Sequence, residues 1–276
     1  MKKASITLVP AGGLGNRMKA IAAALELQKA VGGALQVKWF RDWGLGCRFD
    51  QLFEPIALKD FRLKEAGPLD LLLFDRPRRR NLHLPSVPEA LIFDKRMDEA
   101  ATTKGMQQGF DFAAWARGSR VWMSSNVYFM SEEVPQDAFD LFKPVVKLQR
   151  RIDAVALQLK GQAVGVHIRR TDNERSIANS PTEAFVERMR QEPEDTRFYL
   201  ATDDETVKAQ LRQAFPDRIV SLPRKADRGS LQGMEDAVVE MFALSRCRRV
   251  LGSSCSTYSM TAASLGRIPL ETVQRS

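Results

Sequence analysis

The sequence predicts an α/β fold of the doubly wound kind, arranged as two Rossmann-like domains facing each other across a cleft. Three observations carry this expectation. Strand-like and helix-like segments alternate through the second half with short connections, a pattern that builds a parallel sheet covered on both faces. The chain opens on a strand, a glycine-rich turn, a helix and a second strand, the start of a βαβ unit. Its 276 residues exceed the usual domain size, so two domains are expected, residues 1–140 and 141–276.

In chain order, residues 5–9 read as a first buried strand, PAGGLGNR as a turn, and 18–31 as a helix ended by the pair Gly32–Gly33. Residues 35–40 form the next strand. From 41 to 140 scattered prolines, glycines and aromatics leave no regular pattern. Regularity then returns. Helices are expected over 145–160, 181–190, 204–215, 234–246 and 256–266, with strands over 163–168, 197–202, 218–222 and 248–254. There is no internal repeat and no low-complexity segment.

Hydrophobic residues make up 44% and charged residues 28%, ordinary for a soluble chain with a sizeable core. The strongest apolar run, LDLLLF (69–74), is far shorter than the roughly 20 residues a membrane span needs. The N-terminal MKKASITLVPAGGLG reads as a first strand rather than a signal peptide. Cys47, Cys247 and Cys255 lack CxxC spacing, which argues against disulfide or zinc chemistry and points to a cytoplasmic setting. Two histidines, His83 and His167, leave little material for a metal cluster. The net charge of +8 favours anionic partners. In RPRRR (76–80) the plain reading is a solvated basic turn; the functional reading is a contact with an anionic membrane surface or with an acceptor. No interleaved aromatics or recognition-helix pattern supports nucleic acid.

Ligands of such sheets bind beyond the carboxyl ends of the strands, and four strand ends carry unusual residues. In AGGLGNRM (11–18), Gly12, Gly13 and Gly15 permit a tight turn with close backbone approach before a helix that offers free N–H groups. The run lacks the last glycine of GxGxxG and the GK[ST] of a P-loop, so a purely structural turn fits it as well. In HIRRTDN (167–173), adjacent arginines of an extended segment point to opposite sides. Arg169 shares a side with His167 and Thr171, and Arg170 with Ile168 and Asp172. A guanidinium fork suits phosphate, while an Arg170–Asp172 ion pair is the competing reading. In FYLATDDET (198–206), the run 202–205 resembles a capping box; alternatively one of Asp203 and Asp204 caps and the other accepts from a ligand. In LGSSCSTYSMTAASLG (251–266), five Ser and Thr hydroxyls fall within seven residues at a helix start. Ser254, Ser256 and Thr257 are able to cap it and to donate to a phosphate at the positive end of the dipole. Together these residues read as a nucleoside-diphosphate site. No DxD motif occurs, so the cation facing the diphosphate is Arg169 rather than a metal.

VGVHIRRTD, FYLATDD and EMFALSRCRRVLGSSCSTYSMTAASLG occur in the order and spacing of three motifs shared by the α1,2-, α1,6- and protein O-fucosyltransferases. GGLGNRM resembles the N-terminal glycine–asparagine loop of that superfamily, with Asn16 as its asparagine. The third motif is most similar to the plant and rhizobial nodulation branch. Coverage is about 160–268 plus 11–18. The resemblance implies a GT-B fold, GDP-fucose as donor, metal-independent inverting transfer without a cofactor, a donor domain in the C-terminal half and an acceptor side in the N-terminal one. It implies that Arg169 binds the β-phosphate and stabilises departing GDP. It also implies that the His167 backbone helps seat guanine, that Glu240 contacts the base with Asp236 one turn away as a substitute, and that Ser256 and Thr257 bind phosphate. Asp203 and Asp204 fall on the paired aspartates of the second motif. Where the animal α1,6 enzymes carry a lysine and a proposed glutamate base, this chain has Asn173 and Ile177. Asp172 and Glu174 are therefore the local candidates for the base. A donor other than GDP-fucose, or a silent nucleotide-binding protein, are the competing readings. The charge and the habit of the family point to a glycan acceptor carried on a lipid at the inner membrane.

Overall fold

In the computed structural model, residues 3–74, 86–171 and 173–275 are described. The chain forms two compact units, Met1–Lys143 and Pro144–Ser276. Each is built on a five-stranded, wholly parallel sheet, so the α/β expectation holds in both.

The first unit runs β1 (Ser5–Pro10), α1 (Leu14–Val31), β2 (Ala34–Trp39), β3 (Phe61–Glu65), α2 (Pro68–Leu73), α3 (Ser86–Ile92), β4 (Lys95–Met97), α4 (Glu99–Gln107), α5 (Phe112–Ala116) and β5 (Arg120–Ser125). The sheet order is β3-β2-β1-β5-β4. β1 lies at its centre and is buried at every position after Ser5, as expected of a parallel strand covered on both faces. α1 begins four residues before the expected position 18. Gly12 turns the chain at φ 76°, and extended Gly13 then caps the helix with no side chain. Within 41–140, the described residues between 61 and 125 form regular elements. These elements are only three to nine residues long, too short for a visible period, and ring contacts among Trp39, Phe49, Phe53 and Phe142, edge-on or tilted, fasten the loop after β2 to the unit. The RPRRR run, 76–80, lies outside the described residues.

The second unit runs α6 (Val146–Leu159), β6 (Val164–Ile168), α7 (Glu174–Asn179), α8 (Thr182–Arg190), β7 (Phe198–Thr202), α9 (Glu205–Ala214), β8 (Ile219–Val220), α10 (Leu231–Leu244), β9 (Arg249–Ser253), α11 (Thr257–Gly266) and β10 (Leu270–Val273). Its order, β10-β9-β6-β7-β8, places β6 at the centre with β9 and β7 on either side. A core of Val164, Val166, Ile168, Phe198, Leu200 and Leu251 packs against Phe185, Met189, Val207 and Leu211 from α8 and α9. Two elements are absent from the sequence reading. α7 is a single turn and a half opened by the Asn173 cap, and β10 is a four-residue edge strand of mixed burial. α11 lies directly on β9: a Cβ at Gly252 would stand 2.7 Å from Ser259 Oγ. Among the described residues no helix is long and apolar enough to cross a membrane.

Candidate functional site

Register decides what meets at the carboxyl edge of the second sheet. Ile168 of β6 pairs with Thr202 of β7, and His167 pairs with Gly252 of β9. The residues that follow each strand therefore emerge side by side: Arg169, Asp203 and Ser253–Ser254.

Asp203 is the hub. One carboxylate oxygen accepts the Arg170 backbone N–H at 2.7 Å. The other accepts the Thr171 hydroxyl at 2.7 Å and the Arg169 guanidinium at 2.7 Å. Asp204 caps α9, accepting from the N–H groups of Thr206 and Val207. The pair thus divides the work: one aspartate caps, and the other shapes the arginine loop from within rather than standing ready for a ligand. Arg169 is held at both ends, its own N–H donating to Ser253 Oγ at 3.0 Å. Its side chain remains 15% exposed, and the fork of a guanidinium suits the geometry of an anion. Arg170 turns the other way, as strand alternation requires. It donates to Thr182 Oγ1 and to the carbonyls of Arg169 and Ser180, which makes it a structural clamp on the start of α8. Asp172 lies outside the described residues. Glu174 is exposed in the first turn of α7, and Asn173 both caps that helix and donates to the Cys255 carbonyl at 3.1 Å.

His167 is buried, stacked on Tyr258 with ring centroids 4.8 Å apart, and its Nδ1 lies 3.3 Å from Ser256 Oγ. Burial first, and then the neighbouring Arg169 charge, push its pKa down to about 4, so the imidazole is neutral at physiological pH. Ser256 is consequently not a side-chain cap: its hydroxyl faces His167, and α11 has no capping side chain and no acidic group in its first turn. Most of the hydroxyl surplus is also used internally. Ser253 Oγ bridges to β6, Ser254 Oγ lies 3.6 Å from Cys255 Sγ, and the Ser259 hydroxyl donates to the Ser256 carbonyl. Thr257 alone of these is half-exposed, with no side-chain hydrogen bond among the described residues. The helix start it occupies keeps its N–H dipole unmatched by any side chain, which favours an anion. Between Ser254 and Ser256, exposed Cys255 makes the strand-to-helix corner at φ 56°.

On α10, Asp236 and Glu240 part company. Asp236 is taken up by Arg151, Arg224 and Gln232, so the sequence-level substitute is committed to holding α6 and the 221–230 loop. Glu240 makes no such bonds among the described residues. Burial, together with the charges of Asp236, Asp203 and Glu205, pushes its pKa up to about 8, against the pull of Lys208. Lys208, itself buried, ties Glu205 to the carbonyls of Leu222 and Arg224.

Gly13, Gly15 and Asn16 belong to the first unit, where they open α1 at the carboxyl end of β1. Two residues there with buried side chains, Arg17 and Asp42, escaped the sequence reading. Arg17, wholly buried, donates to the carbonyls of Gly12 at 2.9 Å and Phe40 at 2.5 Å and to Asp42 Oδ1 at 2.8 Å, with its guanidinium over the Trp39 ring. It locks the glycine turn to the loop after β2. The available signals were an arginine inside an apolar helix and an acid just past the next strand. Among the described residues, no group of three or more His, Cys, Asp or Glu side chains is placed to hold a metal ion.

The two-unit α/β fold of parallel sheets is the fold of solved GT-B fucosyltransferases. The chain is similar over nearly its whole length to the NodZ α-1,6-fucosyltransferase co-crystallised with GDP, at 18% identity, TM-score 0.66, and 95% and 92% of the two chains covered. It is similar to the fucosyltransferase NodZ from Bradyrhizobium, at 19% identity, TM-score 0.64, covering 95% and 93%. It is also similar to POFUT1 in complex with GDP, at 12% identity, TM-score 0.61, covering 99% of both chains. No protein-family model and no curated protein sequence matches the chain.

Proposed function

We propose that the chain is an inverting, metal-independent glycosyltransferase that moves fucose from GDP-fucose to a hydroxyl of a glycan, with the donor on the second unit and the acceptor side on the first. The observation that carries the reading is the Arg169–Asp203–Thr171 cluster at the end of β6, one strand away from the uncapped start of α11. It is supported by neighbours of the same fold that were crystallised with GDP or soaked with GDP-fucose. Arg169 and the α11 start with Thr257 cradle the diphosphate, the His167 strand end and Glu240 meet the guanine, and Asp203 and Asp204 keep the loop and helix in place.

The acceptor oxygen attacks the anomeric carbon as the bond from that carbon to the β-phosphate oxygen breaks. The electron pair leaves with GDP, and the hydroxyl proton passes to a carboxylate, Glu174 or Asp172. A positioned base contributes typically 10²–10⁴-fold. Arg169 meets the charge growing on the leaving diphosphate, and removing one such preorganised donor costs roughly 10²–10³-fold in turnover. The net charge of +8 favours an acceptor carried on an anionic surface, such as a lipid-linked glycan at the cytoplasmic face of a membrane.

Release of GDP from GDP-fucose, measured in EDTA, tests the reading. The wild type is expected to turn over and Arg169→Lys to lose most of its rate, because an ammonium does not reproduce the fork. Guanine-selective binding without any turnover would instead favour a silent nucleotide-binding protein, the reading that Ile177 at the family's glutamate position keeps open. Equal turnover of ADP- or UDP-sugars would reject the guanine assignment.

A further inference from the structure

We propose that Trp43 is a stacking platform for a pyranose ring of the acceptor glycan, an assignment that rests on the glycosyltransferase reading above. Trp39 and Trp122 are 1% and 2% exposed, whereas Trp43 is 72% exposed. A single exposed ring is unremarkable on most surfaces. This one differs in its support.

Trp43 occupies the corner of a turn, 42–45, in which Leu45 N–H donates to the Asp42 carbonyl at 3.1 Å and Asp42 N–H returns the bond to Leu45 at 3.1 Å. The Asp42 side chain, wholly buried, accepts from Arg17 and from the Gly44 N–H. Leu45 is wholly buried, and Trp39 Nε1 donates to the Cys47 carbonyl just beyond. Gly44 sits so close to the glycine turn that a Cβ on it would stand 3.1 Å from the Gly12 carbonyl. A buried ion pair, a two-way backbone bridge and an aliphatic anchor therefore fix the pedestal, while the ring itself faces solvent. The turn follows the carboxyl end of β2, the edge where parallel sheets bind ligands.

The chemistry of the occupant follows from the ring. An indole offers a broad apolar π face and few torsions to freeze. A pyranose presents the matching surface, a patch of axial C–H bonds on one face, with hydroxyls at its rim that stay hydrated.

The full chain, saturated with GDP, is to be applied to an array of immobilised oligosaccharides, alongside Trp43→Ala and Trp43→Phe. Wild type is expected to be retained by a set of glycans, Trp43→Ala to lose that retention by roughly 10-fold or more, as removing a central aromatic anchor does, and Trp43→Phe to fall between. Retained glycans are expected to shield indole fluorescence from acrylamide in wild type only. Affinity for GDP and hydrolysis of GDP-fucose are expected to be the same in all three proteins. Equal retention by Trp43→Ala, or no retention of a wild type that binds GDP, would overturn the platform while leaving the donor site intact. Retention through Trp43 by a chain indifferent to GDP would overturn the donor reading and not the stacking.

Discussion

Lowering the pH from 8 to 6 is expected to weaken GDP binding by about 50-fold through one side chain. Glu240 has its carboxyl pKa pushed up to about 8, chiefly by burial and then by the neighbouring carboxylates, so in the empty site it is mostly neutral at pH 7. A guanine presents two N–H donors on one edge, which a carboxylate accepts and a carboxylic acid only half accepts. Binding under the proposed assignment therefore requires the ionised form. Its fraction is about one half at pH 8 and about 1% at pH 6, so affinity rises roughly ninefold from pH 6 to 7, roughly fivefold from pH 7 to 8, and levels off above that. At pH 7 nearly one proton is expected to leave with each GDP bound. Calorimetric titration in buffers of differing ionisation enthalpy reads both quantities. The terminal phosphate of GDP also titrates, near pH 6, and Glu240→Gln isolates that contribution. The variant is expected to bind more weakly above pH 8 and to lose the slope between pH 7 and 8. A wild-type slope that Glu240→Gln retains would refute the assignment.

Three further outcomes test the positioning of the site. Arg17→Met leaves the Asp42 carboxylate buried without the Arg17 guanidinium, a loss of about 3–5 kcal/mol that urea unfolding should register as a lower midpoint, with β2 the first strand to lose hydrogen-exchange protection; an unchanged midpoint would deny the clamp. Asp204→Ala is expected to cost about 1 kcal/mol of cap energy with little change in GDP affinity, whereas Asp203→Ala releases Arg169 and Thr171 and should weaken GDP by roughly tenfold or more, as loss of a charged hydrogen bond does; calorimetry showing the reverse order would exchange their roles. Of the three thiols only Cys255 is exposed, and it stands at the start of α11, so iodoacetamide should label one site in the native chain, more slowly when GDP is present. Labelling at Cys255 indifferent to saturating GDP would remove that helix start from the donor site.

The second unit was legible because its strands are continuous apolar runs that end abruptly in charges and hydroxyls, as at Ile168–Arg169 and Thr202–Asp203. Alternation correctly sent Arg169 and Arg170 in opposite directions. The partners those residues take was not legible. That Asp203 serves Arg169 and Thr171 depends on the register of β6 against β7, and that Ser256 faces His167 rather than capping α11 depends on how that helix lies on Gly252. Neither relation is local. Most of the first unit was hidden for a simpler reason. Elements such as Lys95–Met97 and Phe112–Ala116 span less than two turns or two pleats, and tertiary packing rather than periodicity makes them regular. Arg17 was read as the last residue of the glycine turn, since no sequence rule marks a cation for complete burial until its acid, 25 positions away, is seen beside it.

Isothermal titration of the purified chain with GDP, UDP and ADP in EDTA, beside Arg169→Ala, tests the donor site most directly. GDP is expected to bind in preference to the other two without a divalent ion, and the Arg169→Ala chain is expected to lose most of that affinity. Binding that ignores the base, requires a metal, or survives unchanged in Arg169→Ala would contradict the assignment of the β6 arginine loop to a guanosine diphosphate.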